Sequence, residues 1–456
     1  MVPDRRILMV AAVAVLLGMA PIGKAAVSGQ EAEQLKGPLT PVGAERGGNE
    51  DGSIPAWTGG YTAVNPAYRP GEPRADPFAQ EKPLFSITSA NVGKYADKLP
   101  EGAKALFAKY PDYRMDIYPT HRTATAPQWV LDNIFRNATN AHAAPEGIAY
   151  GVEGAVGGIP FPIPKSGFEA MWNHLLAFWG PAREGHFRTY VVSASGTSEL
   201  SAAYQEVADF PYYYPGATPD SYGNYYFKTR HIEDAPAAQF GQAYLAWQPI
   251  DTERYRFNAW RYLPGEGRVR KGPSLSYDTP DPEASGYESL DEYYIFFGGL
   301  DRYDFKILGK KEMYIPYNNN RFYTRPTGEI LGAHYADPDD LRYELHRVWV
   351  IEGNLAAGQH HVVPRRRLYL DEDTWLAVYS DSWDENGKLW KFGHGTMYLV
   401  PDLPAVILGS QFIYDLVLGG YVYGFAFNGE PVQYKVTPPH AADAFTPETL
   451  AAQAPR

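Results

Sequence analysis

No cysteine occurs among the 456 residues. Disulfides, a thiolate nucleophile and a lipid-modified thiol are therefore all excluded, and stability must come from packing alone. Positive charge is also scarce: 41 Lys and Arg stand against 53 Asp and Glu, a formal net charge of −12. That balance argues against a nucleic-acid binder, which needs a basic face, and against tight electrostatic attachment to anionic lipid. Internal repeats are missing, as are a Gly-x-Ser-x-Gly elbow, a phosphate loop and a His-Glu-x-x-His helix. Neither catalysis, a cofactor nor a metal is expected. His360, His361 and His394 come nearest to a metal set, but adjacent residues on a strand face opposite ways. Asp301, Asp304, Glu344, Asp371, Glu372 and Asp373 could supply a glycosidase pair, yet acidic residues around turns are usually just solvated.

Aromatic side chains are plentiful: 35 Tyr, 21 Phe and 10 Trp. They suit a large pleated core and equally an aromatic-lined cavity. At the start, Arg5 and Arg6 precede an apolar run from Ile7 to Met19, too short to span a bilayer, and small residues flank Lys24. The pattern predicts a secretory signal over 1–25, cleaved near Ala25, and hence a periplasmic protein that is not a lipoprotein. Loss of Asp4, Arg5, Arg6 and Lys24 takes the net charge from −12 to −14, which favours solubility.

The densest information lies between Gly157 and His174. Pro160, Pro162 and Pro164 fix three φ angles and remove three donors, so this piece is extended and cannot be an interior strand. Ser166 stands three residues before Glu169, the spacing of a capping box. A helix over 167–179 should follow, stopped by Gly180-Pro181. Phe168, Met171, Trp172, Leu175, Leu176, Phe178 and Trp179 leave it little polar face, so it should be buried on most sides.

This run is similar to the hallmark of domain-of-unknown-function family 1329, exported proteins of Gram-negative bacteria related to the LolA/LolB lipoprotein carriers. Leu39-Thr-Pro-Val-Gly-Ala-Glu-Arg-Gly-Gly-Asn49, Asp51-Gly-Ser-Ile-Pro-Ala-Trp-Thr-Gly-Gly60 and Tyr118-Pro-Thr-His-Arg-Thr123 resemble further hallmarks, as do Asp301–Lys306 and Leu368–Trp375. The resemblance implies an α+β fold: a strongly curved antiparallel sheet, an incomplete LolA/LolB-like barrel, that holds something apolar. It also implies a relay beside a resistance-nodulation-type inner-membrane transporter and an outer-membrane channel.

Along the chain, residues 26–83 are Gly- and Pro-rich with little periodicity, a long irregular arm. Helical patterns cover 90–99, 101–110 and 128–140, so 26–185 reads as arm and helical cover. From 186 to 436 strand-like runs alternate with turns, an antiparallel meander of about ten strands packed with the preceding part as one domain. Residues 400–427 are apolar, but Asp415 near the middle argues against a membrane span; a buried segment followed by a strand is expected. The tail, 437–456, reads as loose.

The favoured function is a periplasmic carrier for a lipid or other hydrophobic small molecule. A polysaccharide-acting hydrolase or lyase and a scaffold of an envelope complex are the alternatives. Candidate cavity residues are Phe161, Trp172, Leu176, Trp179, Phe257, Trp260 and Tyr262. His174, Arg256 and Arg261 are candidates for a polar or anionic head group. Alternation leaves open whether Trp260 and Tyr262 or Phe257 and Ala259 point inward. Arg254, Arg256, Arg261, Arg268 and Arg270, with Arg365-Arg366-Arg367, suit either salt bridges or an anionic group at a cavity rim.

Overall fold

The computed structural model describes residues 27–272, 277–339 and 341–454; the expected leader lies outside them. The N-terminal part contains α1 (Gly29–Ala32), β1 (Phe85–Thr88), α2 (Glu101–Lys109), β2 (Arg114–Ile117), α3 (Gln128–Asn140), β3 (His142–Ala143), β4 (Val152–Glu153) and α4 (Gly167–Leu175). Then come β5 (Ala182–Val192), β6 (Ser198–Asp209), β7 (Tyr225–Ala235), β8 (Ala243–Pro249), β9 (Asn258–Leu263) and β10 (Arg268–Lys271). A crossing segment with a 3-10 turn, Leu290–Ile295, leads to β11 (Tyr303–Pro316), α5 (Thr327–Ile330) and β12 (Tyr343–Leu355). The chain finishes with β13 (Arg365–Asp371), β14 (Ala377–Trp383), β15 (Leu389–Val400), β16 (Ala405–Asp415), β17 (Tyr421–Ala426), β18 (Lys435–Thr437) and α6 (Pro447–Gln453).

Sixteen of these strands form one large curved sheet, so the fold is α+β. Its order is β1-β2-β12-β13-β14-β15-β16-β17-β5-β6-β7-β8-β9-β10, with β11 beside β12 and β18 beside β5. Among the described residues every pairing in this sheet is antiparallel except one parallel bridge, Tyr343 to Ile117. Among the described residues the two ends of the path are not paired with each other, so no barrel closes. Register shifts at Ile307/Gly309, Tyr369/Leu370, Thr396/Met397 and Thr189/Tyr190 mark bulges, which bend the strands that carry them.

The sheet is larger than expected because β1 and β2 join it from the N-terminal part and because β6 and β16 are full strands. All eleven residues of β16 are buried, so both faces are covered and the strand reads as a continuous apolar run. Asp415, at its end, turns the chain into β17: Oδ1 accepts from the amides of Val417 and Leu418, and Oδ2 accepts from Trp390 Nε1 at 2.9 Å.

Successive residues of β15 show what covers each face. Phe392 meets α2; a Cβ on Gly102 would lie 2.2 Å from its ring. Gly393, facing the other way, lies against Ile295 of the crossing segment. The stretch 90–99 forms two 3-10 turns, Val92–Lys94 and Ala96–Lys98, where a helix was expected. The tail is also not loose. Leu450 of α6 and Phe445 just before it pack onto Leu245 and Tyr262, forming a small second core.

Candidate ligand cavity

Helix α4 begins where the spacing predicts. Ser166 Oγ accepts from the Glu169 amide, while the Glu169 carboxylate reaches one residue further back than a capping box requires and accepts from Lys165 N. The helix ends at Leu175 rather than 179. Gly180, at φ +87°, and Pro181 bend the chain away into β5, and Trp179 then sits beyond the helix end. Gly167 lets α4 lie directly on β11, since a Cβ there would come within 2.4 Å of the Phe305 backbone. Asn173 holds the proline strap in place: its Oδ1 accepts from Phe161 N at 2.9 Å and its Nδ2 donates to Phe161 O at 2.6 Å.

A small apolar cavity lies between the end of α4, the starts of β5 and β7, and the crossing segment. Its walls include Leu175, Trp179, Phe210, Phe227 and Phe296, with the half-buried rings of Tyr294 and Phe297 also facing it. The free volume at its centre is about 20 Å³, room for one water. The wall at Tyr294 and Ile295 is backbone-strained, with φ of +51° and +70°. A left-handed β-branched residue costs about 1–3 kcal/mol and persists only where its surroundings hold it. Here they do: Arg366 pairs with Asp291 at 2.9 Å, Lys391 with Glu292 at 2.6 Å, and Gln411 Oε1 accepts from Ile295 N at 2.8 Å.

His174, Arg183 and Tyr226 bring polar groups to this cavity, and the Tyr226 hydroxyl has no hydrogen-bond partner among the described residues. His174 Nδ1 accepts from the Ala377 amide at 3.1 Å, so Nε2 must carry the proton that reaches Phe296 O at 2.8 Å. Burial pushes this imidazole down to about 4, so it is neutral at pH 7. Arg183 is buried and donates to Glu206 at 2.7 Å and to Tyr294 Oη at 2.7 Å. Its guanidinium lies within 5.8 Å of the rings of Trp179, Phe210 and Tyr434, where cation–π attraction adds to the ion pair.

Of the sequence candidates, Trp179 and His174 line the cavity. Phe161 is buried in the strap, Leu176 is buried just past α4, and Trp172 is buried with its indole Nε1 donating to Ile148 O at 2.6 Å. Trp260 and Tyr262 pack under α6, whereas Phe257 is half-buried before β9. Arg256 is exposed, and Arg261 is exposed over the Tyr244 ring with a hydrogen bond to Gln242. Other arginines of the two clusters meet carboxylates: Arg254 with Glu153 and Asp251, Arg270 with Glu266, Arg365 and Arg367 with Glu352. Sequence reasoning missed Arg183, Phe210, Phe227 and Phe296. For the three phenylalanines the only signal was aromatic character, which 66 residues of this chain share, and for Arg183 there was none.

The other sequence motifs converge elsewhere. Arg122 grips Asp373 through two hydrogen bonds of 2.6 and 2.8 Å, and Glu372 meets Lys310 at 2.9 Å and Arg347 at 3.3 Å. Trp375 Nε1 donates to Val42 O at 2.8 Å. The carboxylates considered for hydrolysis, Glu344, Asp371, Glu372 and Asp373, are thus buried beneath the N-terminal arm. Asp304 is exposed on β11 and Asp301 precedes it. The histidines are separated: His361 is buried against Asp291, His394 contacts Tyr343 Oη in the aromatic layer under α2, and His360 is exposed.

The model of a protein family of unknown function, DUF1329, matches residues 86–451. An uncharacterized protein of Pseudomonas aeruginosa is 36% identical over 436 residues, covering 93% of this chain and 94% of its own. A DUF1329 family protein from Desulfovibrio piger superposes with a TM-score of 0.42 at 13% identity, over 62% of this chain and 95% of that one. A LolA superfamily protein from Nitrosomonas europaea gives 0.36 at 12% identity, over 62% and 97%.

Proposed function

We propose that this chain, which belongs to the protein family of unknown function DUF1329, carries a lipid or other apolar molecule in the periplasm by burying part of it in the cavity beside α4. The observation that carries this reading is the cavity itself: aromatic walls, His174 and Arg183 already hydrogen-bonded within the protein, and half-exposed rings at Tyr294 and Phe297. No bond needs to be made or broken in such a role. Each methylene taken from water is worth about 0.8 kcal/mol, and a sixteen-carbon chain about 12 kcal/mol. As described, the cavity is closed to a whole acyl chain, so the rings of Tyr294 and Phe297 must swing outward to admit one. No helix among the described residues is long and apolar enough to cross a membrane.

The test is organic extraction of natively purified protein, followed by titration with an apolar naphthylamine probe. A released apolar mass and saturable probe binding are expected. Trp179→Ala should shift the probe Kd by about tenfold, or 1.4 kcal/mol. Trp172→Ala, a change in the core, should cost about 3–5 kcal/mol of stability and leave the probe Kd of the folded protein unchanged. No extracted mass and no probe binding, or a Kd indifferent to Trp179, would sink the reading.

A further inference from the structure

A second place in the molecule collects ionisable groups with no use in the cavity. His231 and Glu233 stand two apart on β7, so both side chains project from one face. Glu283, from the crossing segment, meets them there. One imidazole nitrogen and one oxygen of each carboxylate all lie within 4.8 Å of one another. The His231 ring is held between Tyr204 and Tyr244, each with its centroid 4.8 Å away.

Glu233 makes this cluster unlike a solvated acidic patch. It is 1% exposed, and neither carboxylate oxygen receives a hydrogen bond; His231 Nε2 beside it has no hydrogen-bond partner either. A buried carboxylate without donors costs several kcal/mol unless a cation compensates it. The nearest surroundings add negative charge: Glu283 itself, and Asp281, whose Oδ1 accepts from Glu283 N at 3.0 Å. Several other buried carboxylates have guanidinium or ammonium partners, as Glu206, Asp291, Glu292 and Asp373 do, and others have amide or hydroxyl donors, as Asp381 does. Among the described residues no guanidinium or ammonium group pairs with Glu233; only the His231 ring, 3.4 Å away, could offset its charge, and only when protonated.

We propose that His231, Glu233 and Glu283 bind one divalent cation of the zinc class. The separation of His231 Nε2 and Glu233 Oε1, 3.4 Å, is that of two ligands on one tetrahedral zinc, whose bonds of ~2.0–2.1 Å place donors ~3.4 Å apart. One imidazole with two carboxylates suits a borderline ion better than calcium, which takes six to eight oxygens. Three protein donors leave a fourth position for water. The His231 side chain is 20% exposed, which gives the ion a way in. Bound there, it would tie β7 to the crossing segment that walls the cavity. The comparable group His346, Asp371 and Asp373 is a poorer site, because Arg122 already takes both oxygens of Asp373 and every member is buried.

Zinc titration of the full chain after chelator treatment tests this, read by metal content after dialysis and by thermal melting. One equivalent of zinc and a raised Tm are expected, with a tenfold excess of calcium unable to displace it. Glu233→Gln and His231→Gln should each weaken binding by at least about 100-fold. Glu233→Gln should also raise the Tm of the metal-free protein, since it removes an uncompensated charge. His231→Gln, at a partly exposed position, covers the case in which Glu233→Gln does not fold. Substoichiometric zinc, displacement by calcium, or zinc held equally well by His231→Gln would overturn the proposal. Undiminished binding in that variant would point to surface histidines such as His360; no binding, with a stabilised Glu233→Gln, would mean that a proton shared between the carboxylates balances the charge.

Discussion

His174 shows how one buried side chain can tie three parts of the molecule together. It sits on α4, accepts from the backbone of Ala377 at the start of β14, and donates to Phe296 in the crossing segment. Its ordinary value is 6.5 and burial holds it near 4. Between those values the unfolded chain binds a proton that the folded chain does not. The stabilisation is therefore complete above pH 6.5 and lost as pH falls towards 4, on the order of 3 kcal/mol. His394, pushed to about 3 by burial, acts in the same direction. Asp371, raised to about 7 by burial and by Asp373, opposes both, since its contribution is lost as pH rises through 7. The informative measurement is thus a difference. Denaturant unfolding of wild type and His174→Gln at pH 7 and pH 4.5 should show wild type losing more stability on acidification; parallel losses would mean that His174 stays neutral for no energetic reason.

At the scale of elements, helix α2 is capped from outside its own chain segment. Its N-cap is Pro100, which offers no side-chain acceptor. Asp381 of β14 supplies one instead, accepting from Gly102 N at 2.7 Å, from Glu101 N at 2.9 Å and from Tyr369 Oη at 2.8 Å. A carboxylate at a helix N-terminus also meets the positive end of the dipole. Asp381→Asn turns an amide NH₂ towards one of these donors and should cost about 1–3 kcal/mol, read as a lower urea midpoint with an unchanged m-value. An unaltered midpoint would show that packing of Phe107 and Leu106 alone holds α2. Helix α3 needed no such help: Val130, Ile134 and Ala138 recur at helical spacing, and its bounds coincide with those read from the pattern. Strand β6, Ser-Glu-Leu-Ser-Ala-Ala-Tyr-Gln-Glu-Val-Ala-Asp, was not legible. Ala, Ser and Glu have weak strand preference, and this segment is a strand because β5 and β7 hydrogen-bond it on both sides.

For the whole molecule, the open sheet leaves β9 and β10 as an edge. Arg268, Arg270 and Lys271 put positive charge along β10, which discourages pairing with another chain. Helix α6 covers the adjoining apolar face, with Phe445 and Leu450 set against Leu245 and Tyr262. Truncation after residue 440 should therefore expose Tyr262, Leu245 and half-buried Trp260. We expect a lower Tm and concentration-dependent self-association in sedimentation experiments, with the larger core under α2 and α4 intact by near-UV circular dichroism. A truncated protein that stays monomeric at the original Tm would show that α6 is dispensable cover.

The amino-acid sequence alone determined the features that local physics governs: the proline strap, the Ser166 cap, helix α3, most of the meander and the family. Those depend on spacing, φ restriction and turn chemistry, which act within a few residues. Tertiary structure decided the rest. Trp172 and Trp179 are seven residues apart with similar apolar neighbours, yet only the bend at Gly180 gives Trp179 to the cavity and leaves Trp172 in the core. Arg183, Glu206 and Tyr294 come together from β5, β6 and the crossing segment, and Glu283 of the crossing segment meets His231 and Glu233 of β7. Side chains that meet across 23 to 111 residues of chain leave no periodicity to read, because sheet pairing, and not sequence distance, sets which of them share a face.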